Sequence, residues 1–209
     1  MKKLILIFIA LLFSVPCFAR TVQDAHKDII ARRNVAAGGE WSTVWLVTNE
    51  CTGALGNLQD TKQIRNLVSS AISTGSGSKI RLTFQSRSDA VHFIVGCVYM
   101  GPRSGTDVMT STTEITFNSG GHGFDLAGSS ATITSDEITF AFSTGQDYLV
   151  QIETDGDNIS SARWAVDGDA GCLAYYDGTT PTPCSNTLDL ASDGTRAWVQ
   201  GLKQIEAYN

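Results

Sequence analysis

The sequence predicts an all-β fold of two packed antiparallel sheets, and three observations carry that reading. Between Thr112 and Thr154, the runs Ile115/Phe117, Ile138/Phe140/Phe142 and Tyr148/Val150/Ile152 alternate with polar or small residues. A period of two places one set of side chains on one face, as in a half-buried strand. Ser119-Gly120-Gly121, Gly128-Ser129-Ser130 and Ser143-Thr144-Gly145 separate those runs, and such residues mark turns. Across the whole chain the same grammar yields about eight short strands and little helix, the signature of a β-sandwich.

At the N-terminus, Lys2 and Lys3 precede an apolar run, Leu4 to Phe13, followed by Pro16, Cys17 and Ala19. This predicts a secretory signal peptide over residues 1–19. The run is too short for a spanning helix. Pro16 argues against Cys17 as a lipidation site, because small residues are expected before such a cysteine. Removal of residues 1–19, with Lys2 and Lys3, leaves 190 residues and shifts the formal charge from −6 to −8. That length suits one domain. No basic cluster remains, which argues against a nucleic-acid partner.

Residues 20–38 are expected to form a short helix or arm, because Val22, Ala25, Ile29 and Ile30 recur near helical spacing before Gly38-Gly39. The sandwich then occupies 39–209. Glu40 to Thr48 reads as a strand with Trp41, Thr43, Trp45 and Val47 on one face. Thr61 to Ile72 fits either a short helix or a strand. Lys79 to Gln85 places Ile80, Leu82 and Phe84 opposite Arg81, Thr83 and Gln85. Val91 to Met100 is apolar on both faces, as in a central strand. Ser161 to Val166 is a further strand. The chain closes with Leu202, Gln204, Glu206 and Tyr208 alternating against Lys203, Ile205 and Ala207.

The segments SKIRLTF (Ser78 to Phe84), VYMG (Val98 to Gly101), EITFNSG (Glu114 to Gly120), SDEITFAFSTGQDYLVQIE (Ser135 to Glu153), SARW (Ser161 to Trp164) and LKQIEAYN (Leu202 to Asn209) resemble a family of jelly-roll modules. These modules stand beside SGNH-type (GDSL-like) esterase domains and occur in phage-associated or secreted carbohydrate-active proteins. The resemblance implies a jelly-roll sandwich with an accessory binding role. The chain has no Gly-Asp-Ser signature and no downstream Asp-x-x-His pair, so the esterase's catalytic residues have no positions here.

Catalytic patterns are sparse. His26, His92 and His122 are the histidines, and no Gly-x-Ser-x-Gly elbow accompanies them. Strand acids at Glu114, Glu137, Glu153 and Glu206 are the candidates for a glycosidase pair, and alternation sends several of them to solvent. Asp155, Asp157, Asp167 and Asp169 lie in two Asp-Gly-Asp runs. Such loops supply the oxygens that calcium takes, although Asp-Gly is equally a hairpin-turn pair. Past the leader, Cys51, Cys97, Cys172 and Cys184 allow three disulfide connectivities. Cys172 and Cys184 bracket a polar loop that a bridge would order, which favours Cys172–Cys184 with Cys51–Cys97.

The polar stretch Asp167 to Asp193 is the longest irregular connection, and long loops on rigid scaffolds commonly bind ligands. Tyr175, Tyr176 and Asp177 are its candidate ligand residues. Tyr175 and Tyr176 cannot both point inward on a strand, so one of them is expected at the surface. The expected function is a secreted, non-catalytic module recognising a surface glycan or protein. A polysaccharide hydrolase with its groove on the sandwich, or a structural virion or surface subunit, is the alternative. If the four aspartates converge on calcium, excess calcium raises the melting temperature by mass action. Identical melting curves in calcium and in chelator would leave only turns.

Overall fold

A computed structural model describes residues 39–47, 62–71, 73–86, 92–154, 163–164, 174–177, 184–186, 188–190, 194–196 and 199–209. The chain divides into two units at Glu40 and Trp41, and the sandwich is the second of these. The calcium candidates Asp155, Asp157, Asp167 and Asp169, the cysteines Cys51 and Cys172, and the leader and arm all lie outside the described residues.

The described residues form fourteen strands in chain order: β1 Trp41–Leu46, β2 Lys62–Val68, β3 Gly77–Gln85, β4 His92–Pro102, β5 Thr113–Glu114, β6 Phe124–Ala127, β7 Thr132–Thr134, β8 Ile138–Phe142, β9 Tyr148–Thr154, β10 Arg163–Trp164, β11 Ala174–Asp177, β12 Gly194–Arg196, β13 Val199–Gln200 and β14 Leu202–Tyr208. No helix occurs among the described residues, so Lys62–Val68 takes the strand alternative. The strands form a five-stranded sheet, β1-β14-β3-β7 with β8 also on β3, and a seven-stranded sheet, β12-β11-β2-β9-β4-β5 with β6 also on β4. A two-stranded ribbon, β10-β13, completes the set. All of these pairings are antiparallel. The two large sheets pack face to face as a β-sandwich.

Between the sheets lie Ile80, Leu82 and Phe84 of β3, Val150 and Ile152 of β9, and Ile205 and Ala207 of β14, all at 0% exposure. In β3 and over residues 205–208 of β14, the alternation legible in the sequence is the alternation observed. Phe84, Phe93, Phe117 and Phe124 form an aromatic knot with ring centroids 4.9–5.9 Å apart. Edge-to-face contact adds to their area burial. Tyr148 stacks on Phe142 at 4.7 Å, and its hydroxyl accepts the Ser143 N–H at 2.9 Å.

Bulges correct the faces that simple alternation assigns. The β14–β3 pairing slips between Leu202 and Gln204, which seats Leu202 in the core rather than on the outer side with Gln204, Glu206 and Tyr208. The β1–β14 pairing slips between Thr43 and Trp45. Val44, Trp45 and Val47 are buried while Thr43 is exposed and Trp41 only half-buried. The single face expected for Trp41 to Val47 is therefore broken, because an extra residue on one strand reverses the phase of every residue beyond it. On β4 the pairing with β9 slips between Val95 and Cys97. Phe93 and Val95 face the inter-sheet core before the slip, and Val98 and Met100 after it. Cys97 is thereby sent to the opposite face.

A further correction concerns β9, whose seven residues are all buried. Alternation predicts a wet face there. Instead β9 lies between β2 and β4, and residues 103–109, 184–186 and 188–190 cover its outer side. Leu67, Met109, Leu149, Tyr175 and Leu190 make a small second core under that cover.

The β4 slip also constrains the neighbouring chain. A Cβ on Gly123 would sit 2.0 Å from the Val95 carbonyl oxygen and 2.4 Å from that of Gly96. Backbone cannot yield as a side-chain tip can. Gly123→Ala is expected to cost about 1–3 kcal/mol by overpacking. Gly105→Ala, where the nearest atom is a Val108 methyl at 3.4 Å, should stay within about 0.5 kcal/mol. Urea titration of both variants checks this, and equal costs would refute it.

Candidate functional site

The outer face of the five-stranded sheet combines rings with hydrogen-bonding groups. Register sets its rows. Trp41 lies opposite Tyr208 and Tyr208 opposite Lys79. Thr43 lies opposite Glu206 and Glu206 opposite Arg81. Gln204 lies opposite Thr83 and Thr83 opposite Thr134. The half-buried rings of Trp41 and Tyr208 stand 5.4 Å apart, tilted by 55°. They form an open corner rather than a flat shelf. The Arg81 guanidinium lies 4.5 Å from the Trp41 ring centre, and the Lys79 ammonium 5.5 Å from that of Tyr208.

Both cations are also paired. Arg81 donates to Glu206 through Nε at 2.6 Å and through Nη2 at 3.1 Å, a fork that fixes the guanidinium plane. Lys79 binds Glu137. The hydrogen bond to Glu206 raises the Arg81 pKa, and that to Glu137 raises the Lys79 pKa, so both remain charged. Gln204 donates to the Thr43 hydroxyl at 3.1 Å, and the Thr83 and Thr134 hydroxyls are 3.0 Å apart. Leu46, opposite Gln204, is 44% exposed. Planar amide, carboxylate and guanidinium groups with hydroxyls between them make a surface suited to a polyhydroxylated ligand.

On the seven-stranded sheet polar contacts close the outer face over β2 and β9. Arg65 is fully buried. Its Nε and Nη2 donate to Gln151 Oε1 at 2.9 and 2.8 Å, and its Nη1 donates to the carbonyls of Leu188, at 2.8 Å, and Asp107. Desolvation lowers the Arg65 pKa to about 10, and Asp107 and Asp189 act against that shift. Gln151 Nε2 donates to the Ser185 carbonyl at 2.7 Å. Tyr99 donates its hydroxyl proton to the Cys184 carbonyl at 3.1 Å.

Beside this cover lies an open cleft of about 320 Å³, lined by Ser70, Arg103, Ser104, Gly145, Gln146 and Asp147 among others. Arg103 binds Asp147 at 3.1 Å, the Tyr175 hydroxyl at 2.8 Å and two loop carbonyls. Its donors go to architecture.

The structure separates the candidates that the sequence grouped together. Tyr175 is only 1% exposed. Register with Arg65 on β2 seats it in the second core, so it offers no stacking face. Burial raises its phenol pKa. Tyr176 and Asp177 lie on the same strand, and their side chains are not among those described. Cys97 bonds to Cys184 with Cα atoms 5.5 Å apart. This excludes the pairings Cys172–Cys184 and Cys51–Cys97. The β4 bulge turns Cys97 toward the cover, and Cys184 lies over that face within disulfide reach.

Glu153 is 5% exposed, and its carboxylate accepts the Cys184 N–H at 2.8 Å, so it does not face solvent. Glu114 pairs with His122, whose side chain is 69% exposed, and His92 pairs with Asp125 at 2.9 Å. Neither imidazole has a hydroxyl or thiol bonded to it among the described residues, so no triad forms there. The Trp41–Tyr208 corner escapes a sequence reading because alternation groups Trp41 with the core. The outward set Gln204, Glu206 and Tyr208 on β14 is the available signal.

Comparison with known protein families and with curated proteins found no match to this chain.

Two surface carboxylates link the structure to pH. Burial would raise the Asp147 pKa, but the Ser70 backbone N–H and hydroxyl and Arg103 outweigh it, leaving a net fall from 3.8. Asp136 is lowered by the Ser119 N–H, the Thr116 hydroxyl and the Gly120 N–H. Both folded pKa values lie below their unfolded ones. The stability they contribute is full above about pH 4 and is lost as pH falls through the folded values. Asp147→Asn should lower stability at pH 7 and flatten its fall between about pH 4 and 2. Denaturant midpoints across that range check this, and an unchanged acid slope would count against it.

Proposed function

We propose that this protein is a secreted, non-catalytic β-sandwich module that binds a surface glycan through the outer face of its five-stranded sheet. One observation carries the reading: the ring corner of Trp41 and Tyr208 adjoins a row of hydroxyl, amide and paired charged groups on three adjacent strands. Sugar rings offer apolar C–H faces to aromatics and hydroxyls to groups that donate and accept. The sheet holds these groups in place before the ligand arrives, which lowers the entropy lost on binding.

Secretion is supported by the leader-like N-terminus and the Cys97–Cys184 bridge, since disulfides persist in oxidising compartments. Among the described residues no helix is long and apolar enough to cross a membrane. The large exposed hydrophobics described are Leu46 and Leu188, which lie on different sides of the sandwich. That gives little support to a structural subunit assembled through an apolar patch.

The test is a glycan array with calorimetry on the hit. Trp41→Ala and Tyr208→Ala should each weaken binding about tenfold or more, which corresponds to ~1.4 kcal/mol. Melting temperatures should shift by only a few degrees. Absence of any glycan hit, or unchanged affinity in both variants, would sink the proposal.

A further inference from the structure

The corner of Cys97, Cys184 and Glu153 has the composition of a metal site. We propose that, with its sulfurs reduced, this corner binds a zinc ion. Three donor atoms, the two Sγ atoms and a Glu153 carboxylate oxygen, lie within 4.8 Å of one another. Two thiolates and a carboxylate form a borderline-soft donor set that suits zinc, with a fourth position open to water. Tetrahedral zinc with Zn–S near 2.3 Å needs its sulfurs roughly 3.8 Å apart. The sulfurs reach that spacing by moving apart once their bond is cut.

The scaffold favours such a site. Cys97 and Glu153 are register partners on the adjacent strands β4 and β9, so two buried ligands sit side by side. Cys184 is held independently of its sulfur. Its N–H binds Glu153, its carbonyl accepts from Tyr99, and the Ser185 carbonyl accepts from Gln151. Reduction therefore leaves the third ligand in place.

The chemistry balances. A thiol or phosphine reductant supplies two electrons that break the S–S bond, and two protons complete the thiols. A thiol reductant leaves as its own disulfide, its thiols supplying the protons; a phosphine leaves as its oxide, with water supplying the oxygen and both protons. Zinc then displaces both thiol protons to solvent. In the oxidised chain a covalent bond holds residues 184–186 over the seven-stranded sheet. In the reduced chain the ion holds them.

Cobalt(II) is the probe, added to the phosphine-reduced full chain. One equivalent should produce a near-ultraviolet thiolate-to-cobalt band that zinc abolishes by displacement. The oxidised chain should show no such band. Cys97→Ser should remove it, and Cys51→Ser/Cys172→Ser should keep it. Glu153→Gln should weaken cobalt binding tenfold or more while still forming the Cys97–Cys184 bridge under oxidation. Near-ultraviolet circular dichroism of the reduced chain reports folding separately. Four outcomes would overturn the proposal: no band in the reduced chain, a band that survives Cys97→Ser, unchanged affinity in Glu153→Gln, or a reduced chain that is unfolded and not restored by zinc.

Discussion

The side chains of a strand face alternate sides, and one extra residue reverses every assignment beyond it. This constraint decides what the molecule presents on each surface. The slip between Thr43 and Trp45 separates two tryptophans only four positions apart. Trp45 is 1% exposed in the core, while Trp41 is half-buried on the outside, 5.4 Å from Tyr208. The slip between Val95 and Cys97 keeps Val98 and Met100 in the core and turns Cys97 toward Glu153 and Cys184. Without the first slip the outer corner loses its tryptophan. Without the second the bridge loses a partner.

The two sheets finish their outer faces differently. On the seven-stranded sheet, Arg65, Gln151 and Glu153 sit where an exposed row would normally stand, yet they are buried. Burying a guanidinium costs several kcal/mol unless its donors are met. Here Gln151 and two carbonyls of the covering segments meet them. The same hydrogen bonds that satisfy Arg65 therefore fix the cover. A bridge closing 87 residues adds a chain-entropy contribution of about 4.6 kcal/mol to that arrangement. On the five-stranded sheet no comparable polar row is buried among the described residues, and its charges pair along the surface instead.

Much of the fold was legible. Alternation in β3 and in the last four residues of β14 predicts the inward and outward sets that the sheets adopt, and the apolar run through β4 marks a central strand. Bulges are weakly encoded, since an inserted residue carries no side-chain signature of its own, and the Trp41 to Val47 face failed for that reason. Polar residues under a cover fail differently. Gln151 and Glu153 look like solvent-facing positions because alternation reports the face and not what lies over it. The disulfide combined both difficulties: its pairing depends on a bulge in β4 and on a distant segment laid across it. Tyr175 could be paired with Tyr176 by alternation, but which of the two points inward depends on β11 joining β2, a contact between distant parts of the chain.

These differences bear on where recognition can occur. A ligand surface on a loop must be ordered on binding, whereas one on a sheet is ordered by folding. The cover spends its donors and acceptors on Arg65, Gln151 and Glu153, leaving fewer for a ligand. On the five-stranded sheet, each cation beside a ring is paired to a carboxylate on the same face: Arg81 to Glu206 and Lys79 to Glu137. That pairing lowers the net charge of the face without removing its hydrogen-bonding groups. Such a face favours a ligand bound by many modest, directional contacts over one bound by net charge. A polyhydroxylated chain fits that description better than a polyanion, and the acidic balance of the whole sequence works in the same direction.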